Sequence, residues 1–290
     1  MSWSLIVGST TYSLDNVADI FLSAYDGLGM PPVENFFDEA AQEDGGEWTG
    51  YRLRRRVVQL VLGSVAETQA VYWPLRAKLL RLLRPRAAAM KLRKTLPSGG
   101  VRQIDVRFDS GLTLPSGDWQ AGILRTGVNL VAEDPTFYDP NQLGVEFGIV
   151  VGMEVPTPVP TPINKDGEFW QVVNYLGDAE SYPVVRFWGP LSTARLDQFT
   201  SGEYLELNTT LLADEYIEVD CRQGYKTVRD QTGALRRSAL TRESDLATFH
   251  LAVNEDGGTS MANVFKATGS GMTAGVTKFQ LLYYTRFMGA

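Results

Sequence analysis

Hydrophobic and polar residues alternate along much of the chain. In VRQIDVRFDSG (101–111), Ile104, Val106 and Phe108 fall on one side and Asp105 and Arg107 on the other, the period-2 signature of a half-buried strand. The Asp109-Ser110-Gly111 that follows is turn chemistry. The alternation returns in EYLELN (203–208), YIEVDCR (216–222), TFHLAV (248–253) and KFQLLYYTRF (278–287), with Gly-rich turn signals at 201–203, 231–233, 255–258 and 269–275. Strands at short spacing with no helices between them predict an antiparallel sandwich or barrel, so the chain reads as mainly β.

One segment has a helical period. In WPLRAKLLRLLRPR (73–86), Leu75, Leu79, Leu82 and Leu83 recur at i, i+4, i+7 and i+8, with Arg76, Lys78, Arg81 and Arg84 around them. Pro74 suits a first turn and Pro85 ends the run. Upstream, RLRRR (52–56) runs directly into VVQLVLGSV. Read as one strand, Arg52, Arg54 and Arg56 stay in phase with Val58, Leu60 and Leu62, placing charge at the mouth of a core strand, as edge protection does. MEVPTPVPTPIN (153–164) has proline at every second position from Pro156 to Pro162 and predicts a semi-rigid connector. The expected domains are therefore 1–148 and 149–290, the second entered through that connector.

Charge changes this picture because it is segregated. Residues 1–50 hold nine acidic side chains and no Lys or Arg, whereas 51–107 hold fourteen basic side chains against Glu67 and Asp105. Adjacent blocks of opposite sign neutralise one another within a domain or between copies, and the chain as a whole carries −7. A nucleic-acid binder shows a basic surplus over its whole domain, so sequence-specific nucleic-acid binding is not expected. The opening MSWSLIVGST has no basic leader, and no apolar stretch approaches the roughly 18 residues that span a bilayer, so neither a secretory signal nor membrane insertion is expected.

Catalytic chemistry is poorly provided for. A single histidine, His250, lies between Phe249 and Leu251 at an expected outward strand position, and a single cysteine, Cys221, sits in another alternating run. Zinc sites built from several Cys and His ligands are ruled out by count. GSGMTAG (269–275) leads to a strand rather than a helix and so lacks the phosphate-cradling geometry. The adjacent acids Glu133–Asp134 and Glu255–Asp256 read as solvated loop residues, and NKDGE (164–168) and NEDGG (254–258) do not match an EF-hand register. No cofactor, metal or enzymatic activity is expected. The aromatic cluster of Trp170, Tyr175, Tyr182, Phe187 and Trp188 reads chiefly as core. Its alternative is a sugar-stacking platform on Trp170 and Trp188, which would make the second half a carbohydrate-binding module for host-surface adhesion.

The order of several segments carries a family likeness. YDGLGMPPVE (25–34), the LLRLLRP helix, RQIDVRFDSGLTL (102–114) and AEDPTFYDP (132–140) are followed by ESYPVVRFWGPLSTARLDQFTSGEYLELN (180–208), ADEYIEVDCRQGYKTV (213–228) and YYTRFMGA (283–290). In this order they resemble the distal tail proteins of long-tailed bacteriophages over nearly the whole chain. The family's penultimate loop is longer here, NEDGGTSMAN (254–263), with Asn263 in the place of its Asn.

The resemblance implies an amino-terminal β-barrel-like, ring-forming domain with one flanking helix and a carboxy-terminal galectin-like β-sandwich. It also implies a hexameric ring in the virion tail tip that joins the tail tube protein to the tail hub and receptor-binding parts and leaves a channel for the genome. Such a protein is made in the host cytoplasm. A cyclic ring needs two complementary surfaces per copy. The charge blocks suggest Arg52, Arg54, Arg55, Arg56, Arg76 and Arg81 on one and Glu34, Asp38 and Glu39 on the other. A channel that passes DNA favours a lining that does not grip phosphate, so the RLRRR arginines are expected to point away from it.

Overall fold

The computed structural model describes residues 2–17, 19–39, 44–114, 122–148 and 168–290. The chain forms two compact units, Met1–Pro140 with Phe287–Ala290, and Asn141–Arg286. The proline-rich segment 153–164 lies outside the described residues.

In the first unit the order is β1 (Ser2–Val7), β2 (Thr10–Ser13), β3 (Phe21–Asp26), β4 (Val33–Asp38), β5 (Glu47–Leu53), β6 (Arg56–Ala66), α1 (Gln69–Leu83), β7 (Met90–Thr95), β8 (Val101–Gly111), β9 (Gly122–Ala132) and β10 (Phe137–Tyr138). The main sheet runs β2-β1-β7-β8-β9-β6-β3. No closed barrel forms among the described residues, but the chain just past β2 makes an antiparallel bridge from Asp15 to Phe21 of β3, and Leu22 N–H donates to Leu14 O at 2.7 Å, so the two ends of the sheet approach one another and the unit is barrel-like. Within the sheet, residues 101–106 of β8 pair with β7 while 107–111 pair with β9 across a register shift at Phe108/Ser110, which hands the sheet from one half to the other. Ile104 and Val106 are buried as their alternation predicts, together with Val58, Leu60 and Leu62 of β6.

The helix buries Leu75, Leu79, Leu82 and Leu83, as its periodicity predicts, and ends where Arg84 turns extended before Pro85. It begins earlier than read, at Gln69, which places Pro74 inside the helix. Pro74 has no N–H to donate to the preceding turn, and its ring is exposed, where the loss is least costly. The RLRRR run is not one strand. The chain leaves β5 at Leu53 and re-enters a different sheet at Arg56.

The second unit contains β11 (Leu143–Gly148), β12 (Phe169–Tyr175), β13 (Val184–Trp188), β14 (Thr193–Gln198), β15 (Glu203–Leu207), β16 (Tyr216–Asp220), β17 (Thr227–Asp230), β18 (Met261–Ser270) and β19 (Lys278–Tyr283). They form two antiparallel sheets, β11-β19-β13-β16-β17 and β12-β18-β14-β15, on one core that includes Phe187, Leu196, Leu205, Phe265 and Phe279, which makes a β-sandwich. Residues 143–148, assigned to the first domain from sequence, pair along their whole length with β19 of this unit.

TFHLAV (248–253) is the expected strand that does not form. Phe249 and Leu251 are buried, but the backbone pairing shrinks to an isolated bridge between Leu251 and Ser181, and the next residue meets a side chain. The buried Asn263 amide accepts from Ala252 N at 2.8 Å and donates to Ala252 O at 3.0 Å, in place of a neighbouring backbone.

Candidate functional site

Among the described residues, strands β4 and β5 pair only with each other, as a two-stranded hairpin apart from the main sheet. Glu34 faces Arg52 and Phe36 faces Gly50 on one side, whereas Asn35 faces Tyr51 and Phe37 faces Trp48 on the other. A bulge between Phe36 and Phe37 is accommodated at Gly50, whose φ of +149° suits glycine. Arg52 Nε and Arg54 Nη2 both donate to the Glu34 carboxylate at 2.5 Å, and the Arg52 guanidinium lies 5.4 Å from the Phe36 ring centroid. The two arginines, Arg54 first, hold the Glu34 carboxyl at about 2. On the opposite side Trp48 stacks on Tyr51 with ring centroids 6.4 Å apart and donates Nε1–H to Asn35 Oδ1 at 3.2 Å. Val33, Phe36, Phe37, Trp48 and Tyr51 are all exposed, Phe37 at 57% and Trp48 at 55%. Asp38, Glu39, Asp44 and Glu47 are also exposed, and none makes an ion pair among the described residues.

The four arginines of RLRRR have three fates. Arg52 and Arg54 serve the chain's own Glu34, so this pairing is within a copy. Arg55 is exposed and lines an open cleft of 590 Å³ with Arg52, Arg54, Val57 and Asp109. Arg56 is 1% exposed. It donates to Pro135 O at 2.6 Å, Gly27 O at 2.8 Å, Gly29 O at 2.7 Å and Met288 O at 2.5 Å, and lies over the Phe137 ring. Burial pushes its guanidinium down to about 10, so it stays charged at neutral pH. Arg56 is thus removed from the expected interface. At the start of a core strand its side chain points inward, and four carbonyls satisfy it in place of a carboxylate.

The outward face of α1 carries Val71, Trp73, Leu80, Arg81 and Arg84, all exposed, and a half-buried Arg76. Arg76 stacks over Trp73 at 5.6 Å, and its Nε is buried with no hydrogen-bond partner. Lys78 is committed to Asp19, and Arg86 donates to Leu82 O and Arg81 O at the helix end. Arg76, Arg81 and Arg84 form no ion pair among the described residues.

Trp170 and Trp188 do not form one platform. They project from the outer faces of different sheets, Trp170 alternating with buried Val173 and Tyr175 further along β12, and Trp188 adjoining buried Phe187. Trp170 is 54% exposed and lies 5.0 Å from the exposed Phe199, with Lys266 over its ring. Trp188 is half-buried between Tyr216 and Lys278. Sequence periodicity separates inward from outward positions, but it cannot pair residues on different sheets.

His250 is tucked in, not outward. Its Nδ1 lies 3.0 Å from Glu203 Oε2 and its Nε2 3.9 Å from Glu180. Burial works to lower its pKa, but the Glu203 hydrogen bond and the two carboxylates outweigh this and leave it raised. Glu203 is correspondingly lowered despite its burial. Cys221 is fully buried and its thiol is pushed up by burial. No group of three or more His, Cys, Asp or Glu side chains is placed to hold a metal among the described residues, and no described helix is long and apolar enough to cross a membrane.

Sequence reading missed the hairpin aromatics and the outward apolar residues of α1. A signal for each was present. ENFF and EWTGYRL flank a Gly45-Gly46 turn, and Leu80 is the one leucine of the helix off the buried stripe.

No protein-family model matches the sequence, and no curated protein matches it. Among solved structures, the chain is similar to the Dit protein of phage SPP1, described as a paradigm of the hub adsorption apparatus in phages that infect Gram-positive bacteria. The match covers 98% of this chain and 99% of that one, with a TM-score of 0.67 at 16% identity. The chain has the Dit fold. Chains of the phage P2 baseplate in its activated conformation also align with it. With Ca the match covers 97% of both chains at a TM-score of 0.48 and 8% identity, and with Sr it covers 94% and 99% at 0.46 and 9%. Both compact units take part in the Dit fold, since the SPP1 match extends over nearly the whole chain.

Proposed function

We propose that the protein is a structural, non-catalytic component of a phage tail tip, in which six copies close into a ring that joins the tail tube to the hub and receptor-binding apparatus around a channel for the genome. The observation that carries this reading is the Dit fold over 98% of the chain, shared with a protein described as part of a hub adsorption apparatus. The hairpin and the outer face of α1 support it, because each exposes aromatic side chains beside charged groups that make no ion pair among the described residues, as surfaces that meet in an assembly do. In this reading the protein works in the virion after synthesis in the host cytoplasm, and the domains divide its labour. The first unit builds the ring, and the second faces outward.

The test is the mass of the purified protein in solution, alone and with its tube protein. A species of six times the monomer mass is expected. A strict monomer under both conditions overturns the reading.

A second reading, host-surface adhesion through sugar stacking, is favoured by one observation, the exposed Trp170–Phe199 pair. A glycan array separates the two. Binding that is lost on Trp170→Ala supports adhesion, and a silent array with intact rings leaves the ring as the whole function.

A further inference from the structure

We infer that the cleft at the carboxy-terminal end of α1 is a binding site for a phosphate group, carried either by a small ion or by a phosphodiester polymer. The inference does not depend on the ring reading, which assigns nothing to this cleft.

The local sequence gathers the cations. Lys78, Arg81 and the C-cap Arg84 follow one another three residues apart, so they are neighbours on the surface of the last helical turns. Pro85 then stops the helix, and the chain turns so that Arg86 reaches back to the helix end, where its Nη1 donates to Leu82 O at 2.6 Å and its Nη2 donates to Arg81 O. Together with Leu82 and with Tyr12 of β2, these four cationic side chains line one open cleft of 440 Å³.

Only part of that charge is used within the chain. Lys78 pairs with Asp19 and lies 5.8 Å from the Tyr12 ring centroid. Arg81 donates its Nε to Ala77 O at 3.3 Å, and Arg84, which is exposed, makes no side-chain hydrogen bond or ion pair among the described residues. The negative end of a helix attracts cations by itself. Here, however, Arg86 already serves the carbonyls of residues 81 and 82, so the remaining donors of Arg81 and Arg84 are left for something else. Four like charges on one cleft, with Asp19 as their one carboxylate partner among the described residues, repel one another until an anion shares them.

The donor set selects the class of anion. A guanidinium offers a planar fork that fits phosphate oxygens in pairs, and an ammonium adds a point charge. Two forks beside an ammonium match a multiply charged oxyanion better than a single carboxylate, and the volume leaves room for what the phosphate is attached to. The other basic cleft is larger, at 590 Å³, but two of its three arginines are held by Glu34 and Asp109 lines its wall. A phosphate therefore fits the α1 cleft and not that one.

The experiment is calorimetric titration of the full chain at low salt with inorganic pyrophosphate, with a short single-stranded oligonucleotide and with polyglutamate. Saturable binding of at least one phosphate probe is expected. Pyrophosphate binding as tight as the oligonucleotide identifies a small ion as the ligand, and a tighter oligonucleotide identifies a phosphodiester polymer. Arg81→Glu with Arg84→Glu is expected to weaken that binding roughly tenfold or more. Arg84→Lys, which keeps the charge and removes the fork, is expected to weaken it several-fold. Arg55→Glu, in the other cleft, is expected to leave it unchanged. Melting curves check that each variant folds. Silence with both phosphate probes, polyglutamate bound as tightly as they are, full affinity in Arg84→Lys, or an equal loss in Arg55→Glu overturns the site.

Discussion

Arg56 is the residue on which the first unit's closing segments converge. One guanidinium binds carbonyls from the 27–29 loop, from Pro135 and from Met288, which lies 232 residues away in sequence. Arg56→Met is expected to lower stability by about 3 kcal/mol, because four part-buried hydrogen bonds from a buried charged donor are lost together. Arg56→Lys should recover little, since a point-like ammonium cannot address four divergent acceptors. Chemical denaturation of both variants checks this. Gly27 belongs to the same knot. Its φ is +80°, and a Cβ there would lie 2.2 Å from Val57 O, so Gly27→Ala should destabilise without touching either candidate surface. His250 gives a pH signature. Its raised pKa means that its pairing with Glu203 contributes fully below the ordinary histidine range and is lost as pH rises through the raised value. The lowered Glu203 sets the acid limit, where the contribution disappears as pH falls below the ordinary carboxylate range. Denaturation midpoints should therefore decline as pH rises through and above the ordinary histidine range, and His250→Gln should flatten that slope. An unchanged slope in the variant would refute the assignment.

At the level of elements, the hairpin depends on Glu34. With its carboxyl held at about 2, the clamp stays ionised over the working range, and its contribution is lost only as pH falls through that value. Glu34→Gln leaves Arg52 and Arg54 side by side with no counter-charge. The expected result is faster amide hydrogen exchange across 33–53 with a global melting temperature that scarcely moves, because exposed ion pairs add little to global stability. Coordinated loss of the whole fold would show that the hairpin is not an independent element. Asn263 plays the opposite part in the second unit. Its amide replaces a strand for residue 252, and Asn263→Leu should cost about 2 kcal/mol by orphaning buried backbone groups. The helix was legible down to its four buried leucines, because a 3.6-residue period survives any tertiary setting. The hairpin was not, because neither of its faces is buried and no alternation of apolar and polar residues marks it.

For the whole molecule, assembly through uncompensated charge should respond to salt. In the proposed ring, assembly is expected to slow as ionic strength rises from about 0.05 M to 0.5 M, while completed rings persist. Light scattering after dilution from a dissociating condition measures both. A rate insensitive to salt would argue that the charge blocks do not steer assembly. The segregated charge visible in the sequence keeps this meaning only in part. Glu34 is already matched within its own copy by Arg52 and Arg54, so the acids without an ion pair among the described residues lie nearer the hairpin tip, and the bases without one include Arg55 and those of α1.

The sequence alone determined the β class, the helix and its buried face, and the likeness to a tail-tip family, because local period and segment order are properties of the chain before it folds. Tertiary structure alone decided which arginine of RLRRR is core and which is surface, that Trp170 and Trp188 stand on different sheets, and that Asn263 substitutes for a strand. Those outcomes depend on partners far away in sequence, such as Met288 for Arg56 and Glu34 for Arg54. A charge block reports how many ions a segment carries, and only the fold settles which of them already have a counter-ion.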